Sequence, residues 1–435
     1  MAETEIRKPP ILNETGKQIV TELQGIRSAI VQKPQTIYGF HINGNESDPS
    51  AAVTYLKDAV GMTPAGMNYT SGTFDYGSWA NAFFMPRPCM VRQTGDVAYY
   101  LDVNDYSKKE NGTSSDITDT SYAGNAMMEW GRDGKKIWYK IVPDALDPTS
   151  GSVYISDQQV DSEYVAWSFI NNQGTLVDHF YTPIYNGSLI NNTLRSMSGQ
   201  SVSMSLTGGA SGEITAATAN NQSSNVLWFI ETKADRTLIN LLLVLMGKSL
   251  NTQKVFGNGL INGGEAALTA YRTGALDDKG LFFGYTDTTH GVKVFGMENW
   301  WGAQLRRTAG SIFANGVYKA KMTYGTQDGS TANGYNTDGN GYISLSAPTP
   351  TGTSGGFIGK MTFNSRGIFP RELNGSETSY YCDSCWYNAT ATCFELVGGH
   401  SGNGSRYGAF ALSLSSGAAA VNWNFGAAVS YKPLA

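Results

Sequence analysis

Short strand-like stretches separated by turn-forming residues run through most of this 435-residue chain. Val97 to Leu101 and Lys136 to Ile141 are rich in the β-branched and aromatic residues that favour a pleated strand. Between such stretches, clusters of Gly, Asn, Ser and Thr are typical of tight turns, above all from residue 325 to residue 356. This pattern predicts a β-rich α+β protein with long loops.

The composition agrees with a folded protein that has a modest charge. Apolar residues are 41% of the chain, which is enough to bury a core, so the chain is not expected to be disordered. Charged residues are only 15%, against about 25% in a typical soluble domain. The net charge is −5 and no long basic run occurs, so we expect no nucleic-acid partner.

Residues 1–35 predict an oligomerising or docking helix. Four apolar residues at alternating steps of four and three form a short heptad seam: Ile19, Leu23, Ile26 and Ile30. Asn13 and Thr15 are candidate caps before it, and Pro34 ends it. Isoleucine at such positions favours trimers over dimers, so a homotrimer is expected. The alternative is a single amphipathic helix that packs on its own domain.

The remainder of the chain changes character at about residue 155. Residues 36–155 predict a small α+β module, in which residues 50–61 are a candidate helix. Residues 156–435 predict a second domain, with candidate helices at Leu189–Ser196 and Arg236–Lys248 before a series of short strands.

Neither a membrane span nor a secretory signal is expected. The apolar run from Leu238 to Met246 is about half the length that a membrane span needs, so it predicts a buried helix. The chain begins Met1-Ala2-Glu3, without a basic start followed by an apolar core. We therefore expect synthesis in a cytoplasm and no membrane insertion.

Metal and cofactor signals are weak, and no cofactor is expected. Cys382 and Cys385 have the spacing of a metal or redox pair, but a second pair of ligands is missing, so reduced cysteines are favoured over a metal site or a disulfide. No two of the four histidines have a metal-ligand spacing. Residues 336–343 copy the start of a calcium loop, but Ala347 stands where a bidentate Glu is required, which favours a turn.

Motifs for catalysis are also lacking. No Gly-x-Ser-x-Gly elbow and no phosphate-binding Gly-rich loop occurs. Carboxylate pairs such as Asp161 with Glu163, or Asp287 with Glu298, would suit a glycosidase, but any chain of this length offers such pairs. We expect Glu298 to be a buried hydrogen-bond acceptor, since buried carboxylates persist only when they are bonded. The chain is predicted not to be an enzyme.

Two stretches near the C-terminus resemble a known fold. The first is Gly291–Gly302, followed by Arg306-Arg307, and the second runs from Tyr380 to Ser430 through the sequence Gly398-Gly399-His400-Ser401. Both resemble the C-type-lectin-like fold in its formylglycine-generating-enzyme-like branch. They are similar to tail and receptor-binding proteins of phages of gut bacteria, some of them variable proteins of diversity-generating retroelements. The resemblance is specific over about residues 285–435 and extends more loosely to Tyr38–Phe40 and Gly124–Glu129. It implies that the expected domain of residues 156–435 is a C-type-lectin-like receptor-binding domain.

The resemblance implies a phage virion adhesin, a tail fibre or receptor-binding protein that is made in the cytoplasm of the bacterial host and located in the virion tail. Its N-terminus would bind other tail proteins, and its C-terminal loops would bind a glycan or protein receptor on the bacterial surface. The active cysteines and iron-binding histidines of the enzymes with this fold find no match here, which argues against their activities. A structural fibre or decoration protein and a surface-glycan depolymerase remain the alternatives.

Within the resembling region, aromatic and small polar residues divide into a predicted core and a predicted surface. Trp300, Trp301, Trp386 and Trp423 are expected to anchor the core. The remaining surface set has the composition of a binding paratope and is predicted to contact the receptor. Its members are Tyr380, Ser384, Tyr387, Asn388, His400, Ser401, Asn403, Ser405, Arg406, Tyr407, Asn422, Asn424 and Phe425.

Overall fold

The computed structural model describes residues 13–31, 35–171, 173–325, 327–330, 334–345 and 353–434. Strands account for 33% and helices for 13% of the structure, which confirms the β-rich α+β class. Two compact units follow each other along the chain, the first ending at Thr36 and the second beginning at Ile37.

The described residues contain these helices: α1 Glu14–Val31, α2 Ala210–Thr218, α3 Lys233–Gly247, α4 Thr252–Phe256 and α5 Gly264–Ala270, with 3-10 turns at Arg132–Gly134, Trp167–Phe169 and Gly404–Arg406. The strands are β1 Ile37–Ile42, β2 Val53–Lys57, β3 Gly66–Asn68, β4 Thr73–Asp75, β5 Arg87–Arg92, β6 Val97–Asp102, β7 Asp105–Lys109, β8 Gly124–Trp130, β9 Trp138–Pro143, β10 Gly151–Ser156, β11 Phe180–Pro183, β12 Ser188–Ile190, β13 Thr193–Arg195, β14 Val226–Ile230, β15 Lys293–Val294, β16 Met297–Glu298, β17 Leu305–Ala314, β18 Val317–Ala320, β19 Ile343–Ser344, β20 Thr353–Phe357, β21 Lys360–Asn364, β22 Gly367–Glu372, β23 Ser384–Asn388, β24 Thr392–Val397, β25 Leu412–Leu414, β26 Phe425–Gly426 and β27 Val429–Pro433.

The first unit contains helix α1, as the heptad spacing predicted. The side chain of Asn13 accepts a hydrogen bond from the Gly16 amide at 2.8 Å and so caps the helix, whereas Thr15 already lies within it. Ile19 leaves 52% of its surface exposed. The side chains of the other three seam residues, and Pro34, lie outside the described residues, so the trimer stays a prediction.

Three large sheets organise the second unit. A four-stranded antiparallel sheet has the order β2-β1-β10-β9, and a seven-stranded sheet has the order β14-β27-β11-β8-β5-β6-β7. The third sheet has the order β19-β18-β17-β24-β25-β23-β20, with β26 paired beside β17. It is mixed, because β23 runs parallel to β25 and β26 runs parallel to β17.

The seven-stranded sheet crosses the boundary that was expected at residue 155. Strands β5 to β8 precede that point in the chain, whereas β11, β14 and β27 follow it. At the junction β8 pairs with both β5 and β11, so that Glu129 lies opposite Arg87 on one side and Tyr181 on the other. Residues 37–435 consequently form one compact unit, and the expected separation into domains 36–155 and 156–435 was wrong.

Local structure departs from the sequence prediction at two places. Residues 50–61 are turns around strand β2, not a helix; Val53 and Tyr55 are buried while Thr54 between them is exposed, which is the alternation of a strand. The expected helix at Leu189–Ser196 is instead the hairpin of β12 and β13. Its turn residues Asn191 and Asn192 have φ of +50° and +60°, the conformation that Asn tolerates in tight hairpins.

The apolar run that was predicted to form a buried helix is α3, and every residue of α3 is buried. The side chain of Thr232 accepts a hydrogen bond from the Asp235 amide at 3.3 Å and caps it. Within the part of the chain that the structure describes, no helix has both the length and the apolarity to cross a membrane.

Candidate functional site

Four aromatic side chains from three separate segments form a continuous row, which we call the aromatic row. The ring centroids of Trp386 and Tyr407 are 5.4 Å apart, and those of Tyr407 and His400 are 5.7 Å apart. The indole of Trp423 completes the row, 5.2 Å from the His400 ring. These spacings are within the range of favourable aromatic pairs.

The two ends of the row differ from its middle in exposure. Tyr407 and His400 are 2% and 9% exposed, whereas Trp386 and Trp423 are both half-buried. The inner rings therefore support two outer indoles that keep part of their surface open to solvent. An indole in this position offers a large rigid surface for contact at low entropic cost.

Trp386 reaches its position because strand β23 alternates. Its neighbours Cys385 and Tyr387 are buried, so the indole points to the opposite face of the strand. Gly355 of β20 lies directly across from Trp386. A Cβ atom added to Gly355 would come within 2.3 Å of the indole Cδ1, so glycine is what allows the ring to lie over that strand.

The loop after β24 carries His400 and Tyr407, and two glycines shape it. Gly398 and Gly399 have φ of +83° and +71°, which side-chain-bearing residues rarely adopt. A Cβ atom on Gly399 would lie 1.9 Å from the Tyr407 Cγ. Tyr407 thus packs directly on the backbone of Gly399, in the middle of the aromatic row.

Hydrogen bonds to distant segments hold the same loop. Ser401 donates its amide to the Ala303 carbonyl at 3.0 Å and its hydroxyl to the Gly264 carbonyl at 2.7 Å. The Gly404 amide donates to the Ile261 carbonyl at 2.8 Å. Ser401 is fully buried, so its role is to anchor the loop.

His400 is uncharged at neutral pH. Burial lowers the pKa of its imidazole to about 4. Its Nδ1 accepts the Gly402 amide at 3.1 Å, which leaves the proton on Nε2. The aromatic row is therefore electrically neutral along its length.

A buried ion pair fixes the loop that carries Trp423. Arg307 donates to a Glu213 carboxylate oxygen at 2.5 Å, and both side chains are 1% exposed. The same guanidinium donates to the Ala420 carbonyl and lies 5.4 Å from the centre of the Phe425 ring. Arg307 thus contacts the chain on both sides of Trp423, at Ala420 and at Phe425, and so restrains the conformation of the loop between them.

The structure divides the predicted receptor-binding residues. Those that are exposed or half-buried are Tyr380, Asn388, Asn403, Ser405 and Asn422. Those that are buried are Ser384, Tyr387, His400, Ser401, Tyr407, Asn424 and Phe425. The surface prediction was wrong for this second set, because loop packing covers them. The Arg406 side chain lies outside the described residues.

The four tryptophans that were expected to anchor the core differ in burial, although Trp386 and Trp423 also pack against buried apolar clusters. Trp300 and Trp301 are fully buried, as expected for core anchors. Trp386 and Trp423 are half-buried and form the ends of the aromatic row, which the sequence analysis did not foresee. The alternation of Trp386 with its strand neighbours was a signal that could have revealed its outward direction.

The thiols take no part in this site. All four cysteines are free and buried: Cys89, Cys382, Cys385 and Cys393. Burial raises the pKa of the Cys382 thiol to about 12, which disfavours the reactive thiolate. Among the described residues, no group of His, Cys, Asp and Glu side chains has an arrangement that could hold a metal ion.

Glu298 has the structural role that its sequence context predicted. It is 2% exposed and accepts the backbone amides of Gly274 and Leu276 at 3.1 and 3.3 Å. Burial raises the pKa of its carboxyl to about 8. Asp287, the other half of the candidate carboxylate pair, is bonded to His290 at 2.7 Å. Glu298 is closed to a substrate from solvent.

A scan against protein-family models matched no family, and a search of curated proteins found no similar protein. The geometry of the aromatic row is therefore the basis on which a function can be argued. The row offers indole faces for contact, and the loops that carry it present Asn403, Ser405 and Asn422 as hydrogen-bonding groups.

Proposed function

We propose that this protein is a non-enzymatic adhesin that attaches a phage virion to a receptor on the bacterial surface through the aromatic row. The observation that carries the proposal is that Trp386 and Trp423 stay partly exposed while they pack on the buried rings of Tyr407 and His400. Tryptophan is enriched among the residues that dominate binding energy at interfaces, and a rigid support lowers the entropic cost of binding.

The surroundings of the row are those of a recognition surface. Asn403 and Ser405 on one loop and Asn422 on the other are polar, uncharged and at least partly exposed. Aromatic anchors among small amides and hydroxyls are typical of paratopes, in which the aromatic residues supply contact area and the polar ones adapt their hydrogen bonds. Loops held on a rigid scaffold commonly carry such sites.

The likeness to the C-type-lectin-like fold supports the same function. The aromatic row lies wholly within the resembling region, about residues 285–435, and receptor-binding tail proteins of phages are what that region resembles. A fold resemblance is an analogy, so the geometry of the row carries more weight.

The N-terminal unit would supply valency and attachment. We propose that helix α1 associates into a homotrimer and binds other virion tail proteins. Ile19 and Val20 support this, since they leave 52% and 38% of their surfaces exposed on the helix. Three copies of one weak site would raise the overall avidity by mass action.

Adsorption blocking tests the proposal. Purified full-length protein is incubated with candidate host cells before phage is added, beside the double variant Trp386→Ala, Trp423→Ala. The matched control is Leu146→Ala, which removes an apolar side chain that is 99% exposed away from the row. We expect the wild type and the control to block attachment and the double variant, still folded by circular dichroism, to block it at least about tenfold less.

The other outcomes separate the alternatives. If the double variant blocks as well as the wild type, the aromatic row is not the binding site. If no form binds cells, a structural fibre or decoration protein is the better description. Release of soluble sugar from the cell surface by the purified protein would instead indicate a depolymerase.

A further inference from the structure

A cleft of about 740 Å³ opens at one end of the seven-stranded sheet, where β5 begins and β8 ends. Its volume is within the range of pockets that bind small molecules. Its walls are formed by residues from segments 76–88, 100–110 and 129–134, together with His179 and Leu281. None of the aromatic-row residues lines it.

Glu129 is a buried polar group of the cleft. It is 6% exposed, and its two carboxylate oxygens accept hydrogen bonds from the Tyr100 and Tyr181 hydroxyls, each at 2.9 Å. A carboxylate can accept about four hydrogen bonds. Glu129 therefore keeps acceptor capacity beyond the two tyrosines, in an orientation that they fix.

Arg87 and Glu110 add a planar donor and acceptor pair to the same cleft. Two guanidinium nitrogens of Arg87 donate to the two oxygens of Glu110 at 3.0 and 2.6 Å. The guanidinium also stacks on the Tyr100 ring, 3.4 Å from its centre. Because a guanidinium has five N–H donors, Arg87 retains donors beyond this pair.

The charges of the lining constrain the ligand. The carboxylates of Glu110, Glu129 and Asp133 outnumber the guanidiniums of Arg87 and Arg132. A phosphate or another anion would meet this negative excess at close range. A wholly apolar ligand would cover the remaining donors of Arg87 and acceptor sites of Glu129 without bonding to them, which is unfavourable.

We propose that this cleft binds a neutral saccharide. Each sugar hydroxyl both donates and accepts a hydrogen bond, so neighbouring hydroxyls match the alternating acceptors and donors of Glu129, Arg87 and Glu110. The half-buried Tyr76 ring offers an apolar surface to the sugar. The site is independent of the aromatic row and does not rest on the adhesin proposal.

The experiment uses the full-length protein on a printed array of neutral hexose and N-acetylhexosamine oligosaccharides, with phosphorylated and sialylated forms of the same sugars. The test variants are Arg87→Met and Glu110→Gln. The matched control is Arg92→Met, at the other end of strand β5, where Arg92 pairs with Asp96 outside the cleft. Thermal unfolding of each variant verifies that it is folded.

We expect wild type and Arg92→Met to bind neutral sugars alike, and each cleft variant to bind them at least about tenfold more weakly, the factor for a lost hydrogen bond to a charged group. Glu129→Gln, which keeps the side-chain shape, should weaken binding similarly. The proposal is overturned if no neutral sugar binds, if only the phosphorylated or sialylated forms bind, or if folded Arg87→Met and Glu110→Gln bind like wild type.

Discussion

The indole of Trp423 meets the imidazole of His400 edge-on, with ring centroids 5.2 Å apart and ring planes at 89°. His400 is 9% exposed and Trp423 is half-buried, so the inner ring supports the outer one. The contact joins two loops that are distant in sequence, and it is made by a neutral imidazole. Because the imidazole is neutral in the folded protein, the stability of the structure around this contact depends on pH.

Acidification should destabilise the protein through His400. Burial lowers its folded-state pKa to about 4, whereas an unfolded histidine has a pKa of about 6.5. Below about pH 6.5 the histidine becomes protonated in the unfolded chain but stays neutral in the folded protein. The contribution of His400 to stability is therefore full above that pH and falls as the pH drops towards 4. The expected loss is roughly 3 kcal/mol at most.

Urea unfolding of wild type and His400→Gln at about pH 7 and about pH 4.5 measures this loss, because the variant lacks the titrating group while other groups are common to both. We expect the wild type to lose more stability than the variant on acidification. Equal losses in the two proteins would mean that His400 does not contribute.

Replacing tryptophans should separate stability from binding. Trp300 is fully buried, donates its indole N–H to Asn240 at 2.9 Å and carries the Arg236 guanidinium 4.0 Å from its ring centre. Trp300→Ala should therefore lower the free energy of unfolding by roughly 3–5 kcal/mol. Trp386→Ala, at a half-buried ring, should lower it by about 1–2 kcal/mol. Urea unfolding provides both values, and a larger loss for Trp386→Ala would contradict the assigned roles.

Gly399→Ala should disturb the aromatic row more than Gly404→Ala does. Both glycines have positive φ, +71° and +65°, so alanine is strained at either position by about 1 kcal/mol. Only at Gly399 would the new methyl group collide with Tyr407, whereas nothing lies within 4 Å of a Cβ atom at Gly404. Overpacking should add about 1–3 kcal/mol at Gly399. Thermal unfolding tests this, and we expect a lower Tm for Gly399→Ala than for Gly404→Ala. Similar Tm values for the two variants would contradict the prediction.

Breaking the buried ion pair should release the loop of Trp423. Arg307→Met leaves the carboxylate of Glu213 buried without its partner and removes the hydrogen bond to the Ala420 carbonyl. We expect a loss of roughly 3–5 kcal/mol in unfolding free energy. Hydrogen exchange should show faster exchange in residues 417–424. The control Arg92→Met breaks an exposed ion pair and should change stability little. If hydrogen exchange in Arg307→Met is unchanged, the ion pair does not hold the loop of Trp423 in place.

Features that depend on local periodicity were predictable from the sequence. Helix α3 follows from its apolar run, which Asn240 alone interrupts between Leu238 and Met246, and strand β6 follows from its β-branched and aromatic residues. The burial of Trp300 and the hydrogen-bonding role of Glu298 also agree with the prediction. In each case the pattern that supports the prediction lies within a short segment, although the partners of Glu298 come from elsewhere in the chain.

What the tertiary structure decided is which polar and aromatic side chains remain exposed. Ser401 was predicted to lie at the surface, but its hydroxyl bonds to Gly264, 137 residues earlier in the chain. Phe425 is covered because Arg307, held by Glu213, lies over its ring. The cleft likewise needs Arg87, Glu110 and Glu129 from three separate segments. A sequence pattern determines which side chains of a segment share a face, but whether that face is exposed depends on which distant segments pack against it.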